Sequence, residues 1–88
     1  MNTLNNALKR IESAELHTYV VTVSYLGKKA TLETTAASEI KAISNAKIRV
    51  AKGEALSVWY PTQGVASELA KIRVEESHGR LRITAEQK

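Results

Sequence analysis

The stretch Thr18–Thr35 reads TYVVTVSYLGKKATLETT, and it predicts two antiparallel strands joined by a tight turn. From Thr18 to Leu26, apolar or aromatic side chains alternate with Thr and Ser, as on a strand with one buried face. Gly27-Lys28 suits a type II′ turn, because glycine accepts the positive φ that its first position requires. The return strand then runs from Lys29 to Thr35, and a consistent register follows. The pairs predicted on the buried face are Tyr25 with Ala30, Val23 with Leu32, and Val21 with Thr34.

A helix is predicted to follow this hairpin. Ser38 is a suitable N-cap, and Glu39 places a negative charge at the positive end of the helix dipole. Gly53 stands where many helices end in a left-handed conformation, directly after the basic residues Lys47, Arg49 and Lys52. The residues expected on its apolar face are Ile40, Ile43, Ala46, Val50 and Ala51. We expect this helix to lie across one face of the sheet.

A second helix is predicted at the start of the chain, over Thr3–Glu15. Its apolar residues recur at helical spacing and form a single stripe. They are Leu4, Ala7, Leu8, Ile11 and Ala14. This stripe has to pack on something, either the sheet of its own domain or the same helix of a dimer partner.

The C-terminal half predicts three more strands. Ala55–Tyr60 is the first and ends at Pro61, and the other two, Lys71–Glu76 and Arg80–Glu86, form a hairpin about His78-Gly79. The order is then α-β-β-α-β-β-β. This order predicts an α+β fold with an antiparallel sheet of four to five strands, one helix packed across a face, and the additional N-terminal helix. Eighty-eight residues suit a single domain spanning 1–88.

Composition excludes several classes of protein. The chain has no cysteine, so it has neither a disulfide framework nor a thiolate metal site. No apolar run is long enough to span a membrane, so we expect a cytoplasmic protein without membrane contact. The net charge is +4, a modest basic surplus that favours contact with polyanions.

The sequence offers no catalytic machinery. His17 and His78 are the only histidines, and the chain contains no Asp that could orient either of them. Glu75 and Glu76 are adjacent, so on a strand they would face opposite sides and could not act as a pair. The four glycines are isolated and form no phosphate-binding loop. We therefore expect no enzyme, no cofactor and no metal.

The residues most suited to bind a partner lie on the predicted C-terminal hairpin. Its outward cations are Lys71, Arg73, Arg80 and Arg82, which would form a basic β-ribbon. The alternative is a solvated ladder, in which Glu75 pairs with Arg82 and Lys71 with Glu86. Trp59 and Tyr60 are further candidates, because these residue types often anchor interfaces. On a strand only one of the two would be exposed.

The segment Ala36-Ala37-Ser38, followed by Ala42 and Ala46 at helical spacing, carries a family resemblance. A hairpin that runs directly into such a helix resembles the hairpin–helix unit of anti-CRISPR proteins that block type I surveillance complexes. The resemblance covers about a third of the chain. It implies a non-enzymatic inhibitor, encoded by a phage or another mobile element, that acts in the host cytoplasm.

Three functions follow as hypotheses. The first is a protein that inhibits a host nucleoprotein complex by stoichiometric association, as the resemblance implies. The second is a protein that binds nucleic acid directly through the basic β-ribbon. The third is a structural or assembly protein that forms a homodimer through its N-terminal helix.

Overall fold

The structure is a computed structural model, and it describes residues 15–88 of the chain. In this part, two helices pack on one face of a three-stranded antiparallel sheet with strand order β2-β1-β3. The elements are β1 (His17–Tyr25), β2 (Lys28–Ala36), α1 (Glu39–Ala51), α2 (Val65–Ser77) and β3 (Leu81–Gln87). The α+β class is as predicted, whereas the sheet of four to five strands is wrong. The helix predicted at Thr3–Glu15 lies outside the described residues, apart from its last position.

The first hairpin is present, but its turn is one residue earlier than predicted. Leu26 and Gly27 occupy the turn with φ of 50° and 83°, the pair of positive values that defines a type I′ turn. Val23 therefore pairs with Ala30 rather than with Leu32, a shift of two residues in register. A shift of two leaves every side chain on its predicted face, so the buried set is unchanged. The Leu26 N–H also donates to the Arg80 carbonyl oxygen at 3.3 Å, a long-range contact that local sequence patterns do not reveal.

Helix α1 begins and ends as the sequence predicts. The Ser38 hydroxyl accepts a hydrogen bond from the Lys41 N–H at 3.2 Å, and Gly53 follows the helix with φ of +86°. The residues that contact the sheet are small, chiefly Ala42 and Ala46, so the helix can approach the strands closely. Ile40 was predicted on this buried face, but it is 79% exposed. Ala42, Ala46, Val50 and Ala51 therefore form the buried face of the helix, and Ile43 packs partly buried against the core.

The C-terminal half differs most from the prediction. Residues 55–60 form a loop rather than a strand, and its Ala55, Val58 and Trp59 side chains are buried. Residues 71–76 belong to α2 and not to a hairpin. Strand β3 therefore pairs with β1, where Val23 faces Ile83 and Val21 faces Ala85. The alternating run from Ile72 to Glu75 fits a strand pattern, but the helix-favouring residues before it extend α2 through this run.

Candidate nucleic-acid interface

The sheet has one covered and one open face. The helices cover the side that carries Val21, Val23 and Ile83. The opposite side chains project away from the helices, and we call them the open face. Most of them are short hydroxyl residues or charged residues, and none of them is buried. They are Thr18, Val20, Thr22, Ser24, Lys29, Thr31, Glu33, Thr35, Arg82, Thr84 and Glu86.

Charge on the open face is separated into two rows. Ser24 lies between Lys29 and Arg82 in the strand register, and these three residues form the basic row. Val20 lies between Glu33 and Glu86 in the same way, and these three form the acidic row. The two rows are four residues apart along β1, which corresponds to about 13 Å. Only one end of the open face therefore attracts an anion.

Arg80 adds a third cation at the basic end. It precedes β3 and lines a shallow depression together with Lys29 and Arg82, and we call these three residues the basic patch. Hydroxyl residues of the open face line the same depression, namely Thr22, Ser24 and Thr84. Lys29 and Arg82 take part in no ion pair between the described residues. Their positive charges are thus available to an anion.

The position of Arg80 is fixed by Glu75 at the end of α2. The Arg80 Nε donates to one carboxylate oxygen of Glu75, and its Nη2 donates to the other at 3.1 Å. These hydrogen bonds lower the pKa of the Glu75 carboxyl below its ordinary value and raise the pKa of Arg80. The ladder alternative paired Glu75 with Arg82. It is also wrong, because Glu75 binds Arg80 instead. The pair holds the α2–β3 turn and compensates part of the charge that Arg80 brings to the basic patch.

The four cations predicted to form one ribbon are divided between the two sides of the molecule. Arg82 lies on the open face and Arg80 beside it, whereas Lys71 and Arg73 belong to α2 on the helical side. The Lys71 Nζ lies 5.1 Å from the centre of the Trp59 ring, a cation–π contact. The basic β-ribbon therefore does not exist, because α2 replaces one of its two strands.

Trp59 and Tyr60 have different environments. Trp59 is 2% exposed and packs against Tyr25 with 4.9 Å between ring centres, so it belongs to the core. Its indole N–H donates to a carboxylate oxygen of buried Glu68 at 3.0 Å. Tyr60 is 63% exposed, and the Lys28 Nζ lies 5.9 Å from its ring centre. Of the two aromatic candidates, only Tyr60 is accessible to a partner.

Sequence reasoning missed Lys29, and the signal for it was present. Its position in β2 has the opposite parity to Ala30 and Leu32, which were predicted on the buried face, so alternation already directs Lys29 toward solvent. The missing information was the neighbour on the far side of β1. Only the pairing of β1 with β3 brings Arg82 into the same row.

A second surface lies between the two helices on the other side of the molecule. It is a groove with isoleucine and leucine side chains, and we call it the helical groove. Its lining residues include Ile40, Ile43, Ile48, Leu69, Lys47 and Arg73. The Lys47 Nζ binds the Glu76 carboxylate at 2.8 Å, so that cation is compensated.

Residues 15–88 contain no cluster of three or more potential metal-ligating side chains. In the same range, no helix has both the length and the apolar character that a membrane span requires. No protein-family model matches the chain, and no curated protein or solved structure matches it either.

Proposed function

We propose that this protein is a non-enzymatic binding module whose basic patch contacts the phosphate backbone of a nucleic acid. The observation that carries the proposal is the basic row, where Lys29 and Arg82 flank Ser24 without an ion-pair partner among the described residues. Arg80 lines the same depression. Phosphate oxygens are bound in proteins by this combination of cations and hydroxyl donors.

The size of the patch limits the affinity. Each neutralised phosphate lowers the slope of log K against log salt by roughly 0.7 to 0.9, so three cations predict a slope of about −2 to −3. Arg80 contributes less than a free arginine, because Glu75 already binds it. Non-specific binding to nucleic acid typically has dissociation constants of about 10⁻⁴ to 10⁻⁶ M at physiological salt, and we expect an affinity in or below this range.

The test is fluorescence anisotropy with a labelled oligonucleotide over a range of salt concentrations. Arg82→Ala removes a cation from the basic patch, and Arg73→Ala removes the same side chain from the helical side as a matched control. We expect Arg82→Ala to weaken binding and to reduce the salt slope by about 1, while Arg73→Ala stays close to wild type. Lys29→Ala should likewise weaken binding, and its control Lys41→Ala should stay close to wild type. Absence of binding at low salt, or an equal loss in Arg73→Ala, would refute the proposal.

Inhibition of a host nucleoprotein complex is the second candidate function. It is supported by the helical groove, where Ile40 is 79% exposed and Ile48 is 39% exposed. Exposed apolar patches of this kind commonly mark surfaces that bind proteins. Such an inhibitor, encoded by a phage or another mobile element, would act in the host cytoplasm by stoichiometric association.

This second candidate makes a different prediction. The tagged protein should retain a nucleoprotein complex in a defined ratio, and Ile40→Glu should abolish retention while the neighbouring control Lys41→Glu preserves it. Equal retention by wild type and Ile40→Glu would exclude the helical groove. The homodimer hypothesis rests on residues outside the described range, and it predicts a dimer mass in solution that Leu8→Glu converts to a monomer mass.

A further inference from the structure

We propose that the nucleic acid bound at the basic patch is single-stranded, and that one of its bases stacks on Tyr60. This inference rests on the proposed function, since it names the class of nucleic acid bound by that same surface. Two independent observations lead to it. One is the charge separation on the open face, and the other is the exposed aromatic ring near the β1–β2 turn.

The charge separation disfavours a duplex. A sheet that enters the major groove lies between two phosphate backbones, because that groove is about 12 Å wide. The basic and acidic rows of the open face are about 13 Å apart. A duplex that received the sheet in its major groove, with one backbone on the basic row, would therefore place its other backbone against Glu33 and Glu86. Lys88 compensates only the first of these, at 3.2 Å from the Glu33 carboxylate.

A single strand avoids this repulsion, because it brings only one backbone to the sheet. Its bases are unpaired, however, and they require apolar or aromatic surfaces on which to stack. Such surfaces are present at the same end of the sheet as the basic patch. Leu26 and Tyr60 are each 63% exposed, although both are large apolar side chains.

One hydrogen bond places Leu26 beside the basic patch, and strand pairing places Tyr60 at the same end of the sheet, beside a residue of its helix-covered side. The Leu26 N–H donates to the Arg80 carbonyl oxygen at 3.3 Å, which joins the β1–β2 turn to the turn before β3. Lys28 follows that turn at a register position of the helix-covered side, and its ammonium lies 5.9 Å from the centre of the Tyr60 ring. A strand on the basic row would therefore pass around the β1–β2 turn, over Leu26 and Gly27, to place a base on Tyr60 and a phosphate at Lys28 on the other side of the sheet.

The experiment compares a labelled oligothymidine of about 12 nucleotides with the duplex formed by the same strand, at about 50 mM salt. We expect the single strand to bind at least tenfold more tightly than the duplex. Tyr60→Ala should weaken single-strand binding by about 5- to 150-fold, the loss that corresponds to one stacked base. Tyr60→Phe should stay within twofold of wild type, because the aromatic face is preserved. The salt slope of Tyr60→Ala should remain unchanged, since no phosphate contact is lost.

The acidic row supplies a second, independent measurement. The double variant Glu33→Gln, Glu86→Gln should strengthen duplex binding and leave single-strand binding nearly unchanged. Equal affinity for both forms in the wild type, or a Tyr60→Ala variant that binds like wild type, would overturn this inference and leave the proposed function intact. If neither the single strand nor the duplex binds, both this inference and the proposed function are overturned.

Discussion

Replacing Leu26 by asparagine should stabilise the fold, although it removes an apolar side chain. Leu26 stands at the first central position of a type I′ turn with φ of +50°, in the left-handed region. Asparagine is among the few residues that adopt this conformation readily, and Asn-Gly is the preferred pair for this turn type. The next residue is already Gly27. The substitution therefore creates the favoured dipeptide without any change in loop length.

Two opposing terms decide the magnitude. The left-handed conformation disfavours an ordinary side chain by about 1 to 2 kcal/mol, and asparagine avoids most of this penalty. Leu26 is 63% exposed, so only about a third of its side chain is removed from water. Since full burial of a leucine is worth about 2 kcal/mol, that third contributes about 0.7 kcal/mol. We expect Leu26→Asn to raise the free energy of unfolding by about 0.5 to 1 kcal/mol.

Leu26→Ala is the matched control, because it loses the same burial but keeps the conformational penalty. It should fall below wild type by about 0.7 kcal/mol, which places the two variants about 1 to 2 kcal/mol apart. Urea denaturation followed by the fluorescence of Trp59, the single tryptophan, measures these differences. The m-value should not change. A Leu26→Asn variant no more stable than Leu26→Ala would refute the reasoning, because the turn would then impose no strain on residue 26.

Three further predictions concern stability. Gly53→Ala should lower the free energy of unfolding in urea by about 1 to 2 kcal/mol, because φ there is +86° and the new Cβ would lie 3.1 Å from a proline ring; unchanged stability would contradict this. Glu68→Leu should lower the free energy of unfolding more in the wild-type background than in a Trp59→Phe background, by about 1 to 3 kcal/mol in urea denaturation followed by circular dichroism. The reason is that replacing Glu68 leaves the buried indole N–H without a partner only where Trp59 is present. Additive effects of the two substitutions would exclude this coupling. Arg80 lowers the pKa of Glu75, so its stabilising effect is fully present above the ordinary glutamate pKa of about 4.3 and is lost as the pH falls through the lower, folded-state pKa. The wild type should therefore lose its advantage over Arg80→Ala on acidification, and a constant difference between pH 7 and pH 3 would contradict the assignment.

The sequence predicted the local structure of the first hairpin and of helix α1 correctly. The alternation from Thr18 to Thr35 predicted the first hairpin and its buried face, and the caps at Ser38 and Gly53 predicted α1. These signals act over a few residues, so they do not depend on the rest of the chain. The turn was predicted one residue too late, because leucine is unfavourable at positive φ. Strand pairing and the hydrogen bond to Arg80 outweigh this conformational penalty at Leu26.

The sequence did not predict helix α2, because the buried residues of this helix do not form an apolar pattern at helical spacing. Its two fully buried residues are Glu68 and Ile72, so a carboxylate stands where helical periodicity requires an apolar side chain. The indole N–H of Trp59, which comes from a separate loop, donates to one oxygen of that carboxyl group, while the other oxygen, Oε2, has no hydrogen-bond partner among the described residues. Periodicity alone therefore favoured a strand for the run that follows Ile72.

The candidate site shows the same division. Sequence correctly placed Arg80 and Arg82 near the start of a strand. Only one of Trp59 and Tyr60 is exposed, as expected, but the strand from which this was inferred is a loop. It could not determine which cations share a surface, because this depends on β3 pairing with β1 from far along the chain. Local propensity and alternation assigned residues to faces, whereas long-range strand pairing and helix packing decided which faces came together. Tertiary structure alone therefore grouped Arg82 with Lys29 and separated it from Arg73.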